Sequence, residues 1–284
     1  MIKSYKLRRN IANAVIYVIL AIMGIIWVSP FAYLLMHSFR AEGLITVNYL
    51  IPHEWTFQNY IDLFTVKGSL NFPRWLINTF VVALFSCVIC TISVLAVSYT
   101  FSRLRFKARK KLMNVGMILG MFPGFMTMIA IYYLLKAMGL DRNLVALVIC
   151  YSSGAGLGFQ ISKGFFDTIP RALDEAATID GANKNQIFWK IILPMSAPII
   201  VYTVLTSFIG PWCDFILARI IMGDRRDLYT VAIGLFDMKS EEFINTYYKQ
   251  FLAGSVIVAI PITTLFMIMQ KYYVEGVTAG GVKG

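Results

Sequence analysis

Glu175-Ala-Ala-Thr-Ile-Asp-Gly181, nine residues, then Ile191-Ile-Leu193-Pro194 forms a polar, helix-prone stretch between two long apolar runs. Pro170 suits the first turn of a helix, where a missing N–H costs nothing. Arg171 through Asp180 continue with strong helix formers. Gly181 then ends the helix, because glycine takes the left-handed cap conformation readily. Asn183 caps a second helix, with Gln186 three residues on in the spacing of a capping box. Ile187 with Ile191, and Phe188 with Ile192, share faces at i, i+4. Pro194 closes this helix and begins the next apolar run. A short, rigid helix pair of this kind is a lever: pushed, it moves the attached spans as a body. An idle helix at a lipid surface is usually basic on its polar face. Here Arg171, Lys184 and Lys190 are balanced by Asp174, Glu175 and Asp180, which favours docking of a partner. The small Ala176 and Ala177 let a surface approach closely, and Glu175 and Asp180 supply charges that fix its register.

The composition around this stretch belongs in lipid. The 284 residues are 58% hydrophobic and 14% charged, with a mean hydropathy of +0.68. Soluble domains carry about 25% charged residues. The net charge of +11 fits loops held on the cytoplasmic side of a membrane, and no nucleic-acid motif accompanies it. Cys87, Cys90, Cys150 and Cys213 all fall within apolar runs. Cys87-Val-Ile-Cys90 lacks the polar, accessible setting of a redox or zinc pair and reads as two buried thiols. His37 and His53 stand near no Cys or Glu cluster, so no metal site is expected.

Six runs approach the roughly 20 apolar residues of a membrane span: residues 11–36, 75–101, 112–135, 144–159, 196–222 and 251–272. The connection after the second holds Arg103, Arg105, Lys107, Arg109, Lys110 and Lys111 and no acid, whereas that after the third holds only Lys136 and Arg142 as basic residues. The positive-inside rule places the basic connection and the N-terminus, with Lys3, Lys6, Arg8 and Arg9, in the cytoplasm. The first run is too long for a signal-peptide core. The expected fold is an all-α integral membrane protein of six helices, N-in and C-in, with the helix-pair loop (about 167–194) in the cytoplasm between the fourth and fifth. The expected segments are 1–74 (tail, first span and an external stretch), 75–274 (five spans) and 275–284 (cytoplasmic tail).

The pattern Glu-Ala-Ala-x3-Gly-x9-Ile-x-Leu-Pro resembles the EAA signature of permease subunits in bacterial ABC importers, and every position is filled. The tail Val274-Glu-Gly-Val-Thr-Ala-Gly-Gly-Val-Lys-Gly284 is similar to that of maltose/maltodextrin-type permeases, the smaller of two partners in this carbohydrate family of binding-protein-dependent inner-membrane components. Tyr99-Thr-Phe-Ser-Arg103-Leu-Arg105-Phe and Trp212-x-Asp214-Phe215 match that group too, with Cys213 where many relatives carry Asn. The resemblance implies that Glu175, Ala176, Ala177, Asp180, Gly181, Ile191, Leu193 and Pro194 couple to an ATPase. It also implies that Gly280, Gly281 and Lys283 in the tail reach the ATPase subunits. The implied machine adds a second permease to form a heterodimer, two ATPase subunits holding ATP and magnesium, and an extracytoplasmic sugar-binding protein. Its cargo is a maltose- or maltodextrin-like sugar, or another oligosaccharide such as a galacto-oligosaccharide. It sits in the bacterial cytoplasmic membrane, binds no nucleic acid and catalyses no covalent chemistry. No GxxxxGK[ST] motif occurs, so ATP belongs to another chain.

Within the runs, Asp214 follows Gly210-Pro211-Trp212. An ionisable group at membrane depth usually faces a cavity or a partner. Trp212 and Asp214 therefore read either as part of the translocation path or as a structural element, with Asp214 paired to Arg219. The small residues Ser152, Ser153, Gly154, Ala155, Gly156 and Gly158 indicate close helix packing or a broken helix at a cavity. Tyr132, Tyr133, Tyr151 and Gln160 suit either sugar stacking or ordinary packing. The glycine-rich tail is expected to be extended. A secondary transporter would show paired repeats and coupling carboxylates, and a membrane enzyme would show clustered His, Asp or Glu; this sequence favours neither.

Overall fold

The computed structural model describes the backbone of residues 2–43, 47–65, 70–153 and 155–281, with side chains described from residue 6 to 272 except 155–157. Among them the chain is helical, with one isolated bridge between Arg40 and Trp55. The helices are α1 (Ile2–Ser38), α2 (Gln58–Thr65), α3 (Phe72–Arg103), α4 (Arg109–Gly120), α5 (Gly124–Ala137), α6 (Leu144–Ser153), α7 (Ala155–Thr168), α8 (Ala172–Ile179), α9 (Lys184–Ile187), α10 (Ala197–Cys213), α11 (Ile216–Met222), α12 (Val231–Met238) and α13 (Ile244–Gly281).

Four helical stretches are long and apolar enough to cross a membrane: Lys6–Ser38, Phe72–Arg103, Pro194–Cys213 and Ile244–Tyr272. Two bent pairs bring the number to six if each is one span. The third expected span is not one straight helix. Arg109–Gly120 and Gly124–Ala137 meet at 102°. Pro123, with ψ 123°, sets the break: proline has no N–H to donate, and Gly120 and Gly124 beside it add little helix propensity. The fourth run, α6 with the Gly158–Thr168 part of α7, bends by 43° and extends beyond its expected end. Gly154 of the small-residue stripe lies outside the described residues. The fifth run does not continue to Met222 as one helix, since α10 stops at Cys213 and α11 restarts at Ile216. The backbone of α13 stays helical through Gly281. This corrects the expected extended tail: lengthening an existing helix avoids the cost of nucleation, which offsets the poor helix propensity of the glycines.

The chain divides into two compact units. The first is Met1–Val66 with Met238–Ile257. There Asn59 Nδ2 donates to the carbonyls of Ser38 and Arg40, both at 2.9 Å, and caps the end of α1 against α2. Lys249 Nζ donates to the Ala41 carbonyl at 2.9 Å. The most apolar window of α1 is unburied, as expected of a helix whose solvent is hydrocarbon.

The second unit is Lys67–Asp237 with Val258–Gly284. It is built on α3, against which α6, α7 and α10 pack. Asn71 caps α3 by accepting from Arg74 N, and Pro73 occupies its first turn. At this end α3 grips the segment that precedes α12. Trp75 Nε1 donates to Arg226 O, Asn78 Nδ2 to the carbonyls of Asp227 and Tyr229, and Val231 N to Thr79 Oγ1. The approach is so close that a Cβ on Gly234 would lie 2.0 Å from Trp75 Cε3.

Candidate functional site

At the opposite end of α3 the loop between α7 and α10 is a fastened, packed unit. Its first helix, α8, begins at Ala172, so Pro170 stands just ahead of the first turn. It closes with a double backbone bond: Gly181 N donates to Thr178 O at 3.1 Å, and Ala182 N to Ala177 O at 2.9 Å. This is a Schellman cap, and it requires the left-handed backbone that Gly181 adopts at φ +87°. Asn183 then starts α9 with a complete capping box. Gln186 N donates to Asn183 Oδ1 at 2.9 Å, and Asn183 N donates to Gln186 Oε1 at 2.8 Å.

The second helix differs from its expected form. Only Lys184–Ile187 is α-helical, and Phe188–Ile192 forms a π turn closed by Leu193 N to Phe188 O at 2.9 Å. Pro194 explains the widening: its ring clashes with a carbonyl four residues back in an α-helix, and it offers no N–H. A short 3-10 turn, Pro194–Ser196, leads into α10. Pro194 thus joins the two elements without stopping the helical path.

The pair is held by an apolar core and a polar latch. Ile187, Phe188 and Ile192 are buried with Leu95, Tyr99, Phe166, Ile169 and Ile199. Arg103, at the end of α3, donates to the carbonyls of Phe166 (2.7 Å) and Ile169 (2.8 Å) and pairs with Asp174 of α8. Tyr99 Oη donates to Lys184 O at 3.1 Å, and its ring lies 4.8 Å from that of Phe188. Ser102 Oγ donates to Asp167 Oδ1, and Lys163 pairs with Asp167 Oδ2. The two short helices are thus packed and bonded against α3, α7 and α10 together.

The eight residues singled out in the sequence divide by exposure. Glu175, Ala176, Asp180, Gly181 and Pro194 are exposed, whereas Ala177, Ile191 and Leu193 turn inward against the buried cluster. Ala177 is thus part of the support and not of the approach surface. Ile179, absent from the sequence reading, is 86% exposed on the face of Glu175 and Ala176, and Trp189 is 53% exposed. The signal for Ile179 was its place four residues after Glu175 and three after Ala176, which is one helix face. Lys283 of the tail lies outside the described residues, and Gly280 and Gly281 belong to the last turn of α13.

Asp214 sits in the interruption between α10 and α11. Tyr151 Oη donates to its Oδ2 at 2.8 Å and Leu217 N to its Oδ1 at 3.1 Å. The pairing with Arg219, one of the two readings of this residue, does not occur. Arg219 instead pairs with Asp237 at 3.1 Å and donates to Tyr229 Oη at 2.7 Å. The break at Asp214 is the cause, since a short side chain that bonds its own backbone competes with helix continuation and turns α11 away. Trp212 is buried, its indole 5.9 Å from the Phe208 ring. Neither Trp212 nor Asp214 lines the open cavity of about 240 Å³ between α3, α6, α7 and α10. Tyr151 does line it, with Ser162, Tyr202, Thr203, Thr206 and Ser207. Tyr132 and Tyr133 meet edge-on on α5, away from that cavity.

Comparison with known proteins adds the family context. The model of the binding-protein-dependent transport system inner membrane component family matches residues 91–278. The chain is 35% identical to the galactooligosaccharides transport system permease protein GanQ of Bacillus subtilis (strain 168), over 100% of both chains. It is 30% identical to the maltodextrin transport system permease protein MalD of Streptococcus pneumoniae, again over 100% of both. Identity to the maltodextrin permease MdxG of Bacillus subtilis is 33%, over 94% of this chain and 95% of the relative. Among solved structures, a chain of a bacterial ABC transporter that imports the acidic polysaccharide alginate superposes with a TM-score of 0.78. It covers 93% of this chain and 97% of that one at 23% identity, a likeness of fold.

Proposed function

Because this chain belongs to the binding-protein-dependent transport system inner membrane component family, we propose that it is the permease subunit of an ATP-driven importer of a neutral oligosaccharide. The observation that carries the reading is the helix pair itself. It is locked to three spans by Arg103, Tyr99 and a buried core, yet it presents Glu175, Ala176, Ile179 and Asp180 to the outside. Such a body has little reason to be rigid unless force enters through it. Full-length similarity to galactooligosaccharide and maltodextrin permeases supports a malto- or galacto-type cargo.

In this reading the chain crosses the cytoplasmic membrane six times with both ends inside, each bent pair counting as one span. Residues 1–74 form the entry segment, 75–274 the transport domain and 275–284 the cytoplasmic tail. A second permease completes a heterodimer, two ATPase subunits hold ATP, and a sugar-binding protein delivers cargo from outside. Closure of the ATPases pushes α8 and α9. The push travels through Arg103 and the buried cluster to α3, α7 and α10, and the cavity alternates its opening. Gly280, Gly281 and Lys283 extend the contact with the ATPases.

The test is Glu175→Lys in the complete complex. It reverses a charge on the exposed face and is expected to leave membrane insertion intact while lowering both ATPase recovery and sugar uptake. Normal uptake with normal assembly would remove the coupling role from this face. A second probe deletes the chain beyond Val277. Impaired transport-coupled ATP hydrolysis supports a tail contact, and unchanged hydrolysis refutes it.

A further inference from the structure

We propose that the basic connection between α3 and α4 is a site for an anionic phospholipid, whose phosphate sits on the cations and whose acyl chains run along α4. The site belongs to the cytoplasmic leaflet, a placement that rests on the importer reading above. No Asp or Glu occurs between Asp62 and Asp141. Arg103 is spent on its latch to Asp174. Arg105, Lys107, Lys110 and Lys111 are exposed, and like Arg109 they have no ion pair among the described residues. Holding a loop on one side of a membrane needs only the number of such charges. Their setting here points further, to a ligand.

The connection has a fixed shape. The ring of Phe106 lies 5.9 Å from that of Phe101, and Arg109 N donates to Phe106 O at 3.1 Å. Arg109, Met113 and Gly116 follow at i, i+4 and i+7 and are partly buried, and α4 packs against α7. A Cβ on Gly116 would lie 3.6 Å from Phe159 Cε1 of α7. Arg109 Nε is buried and has no acceptor. Asp167, the acid of α7, is engaged elsewhere, its Oδ1 by Ser102 and its Oδ2 by Lys163. A buried donor without an acceptor is costly, and a guanidinium matches the oxygens of a phosphate.

The adjoining face of α4 supplies the other half of the site. Leu112, Val115 and Leu119, at i, i+3 and i+7, are about half exposed. They form an apolar stripe that begins in the turn carrying Lys110 and Lys111. Cations at one end of an apolar stripe match a phospholipid, headgroup to chains. A soluble anion would cover only the cations.

The test counts retained lipid. The complete complex is equilibrated in vesicles of phosphatidylcholine with a third phosphatidylglycerol, extracted gently and weighed by native mass spectrometry. The wild type is expected to retain phosphatidylglycerol in preference to phosphatidylcholine. Lys110→Gln with Lys111→Gln should lower that retention by about fivefold for each cation removed. Lipid sites on other subunits are the same in both preparations and cancel. Inorganic phosphate should not displace the lipid. Equal retention by the wild type and the double variant overturns the proposal. So does full displacement by phosphate, which would mark a site for a soluble anion. Loss of the ATPase from the double variant with lipid retention unchanged gives the surface to the ATPase and overturns it as well. If the double variant fails to assemble, Arg109→Lys decides, since it keeps the charge and loses the planar fork. Retention several-fold below wild type then supports the lipid, and wild-type retention overturns it. Recovery of an ATPase with the wild-type chain tests the importer reading separately. If none is recovered, that reading falls, and lipid retention by the permease still decides this surface.

Discussion

Arg103 on α3 and Asp174 on α8 form an ion pair at 3.3 Å, with side chains only 4% and 14% exposed. The same guanidinium takes the carbonyls of Phe166 and Ile169 at the end of α7. One side chain therefore joins a long span, its neighbour and the first short helix. A planar fork with several donors serves three acceptors in a way that a point-charge ammonium does not.

Arg103→Ala leaves the Asp174 carboxylate buried without its partner. Breaking a buried pair in this way costs about 3 kcal/mol or more. Thermal unfolding of the purified complex measures it, and the double variant with Asp174→Asn should lose less than the sum of the two single changes. Additive losses would show that the pair contributes nothing as a pair.

Gly181→Ala tests the left-handed cap. No atom lies near the added methyl, so the cost is purely conformational, about 1–2 kcal/mol. Gly181→Asn should be milder, because Asn tolerates this backbone better than Ala. Equal melting temperatures for Ala and Asn would contradict the cap assignment.

Asn183→Ala removes the side-chain half of the capping box at α9 and is expected to cost about 1 kcal/mol. Gln186→Ala, which keeps the Asn183 contact to its backbone, should cost less. Both read out as thermal shifts in the same preparation.

Under the proposed importer reading, Ile179→Asp separates docking from folding. Its side chain is 86% exposed, so stability should change by no more than about 0.5 kcal/mol. Recovery of the ATPase with the permease should drop several-fold, because a charge replaces an apolar contact. Full recovery would exclude Ile179 from the docking face.

Gly234→Ala places a methyl 2.0 Å from Trp75 Cε3 and should cost about 1–3 kcal/mol or more by overpacking. Trp75→Phe in the same chain should recover part of that stability despite losing the hydrogen bond to Arg226 O. A double variant no better than Gly234→Ala alone would place the strain elsewhere.

Much of the helix pair was legible because its signals are local. Gly181, Asn183 and Gln186 act within a few residues, and the caps they predict are the caps observed. The first, second and sixth apolar runs announced their helices for the same reason, since length and composition suffice. The bend in the third run was written in Pro123 and its flanking glycines, but an apolar run reports length and not direction. The π turn at Phe188–Ile192 depends on how Pro194 is accommodated among packed neighbours, which periodicity does not encode. The roles of Arg103 and Tyr99 stayed hidden because their partners lie far away in sequence. The partner of Arg219, Asp237, was hidden for a related reason. Spacing along one continuous helix pointed to Asp214, and the helix breaks there.

Both oxygens of Asp214 are spoken for, one by the backbone of Leu217 and the other by Tyr151 of α6. Straightening α10 into α11 would strip a carboxylate of two donors within a largely apolar stretch, a change worth several kcal/mol. The discontinuity is thus a permanent joint and not a transient fraying, and a neighbouring span keys it in place. Rearrangement around this joint either carries α6 along or breaks the bond from Tyr151.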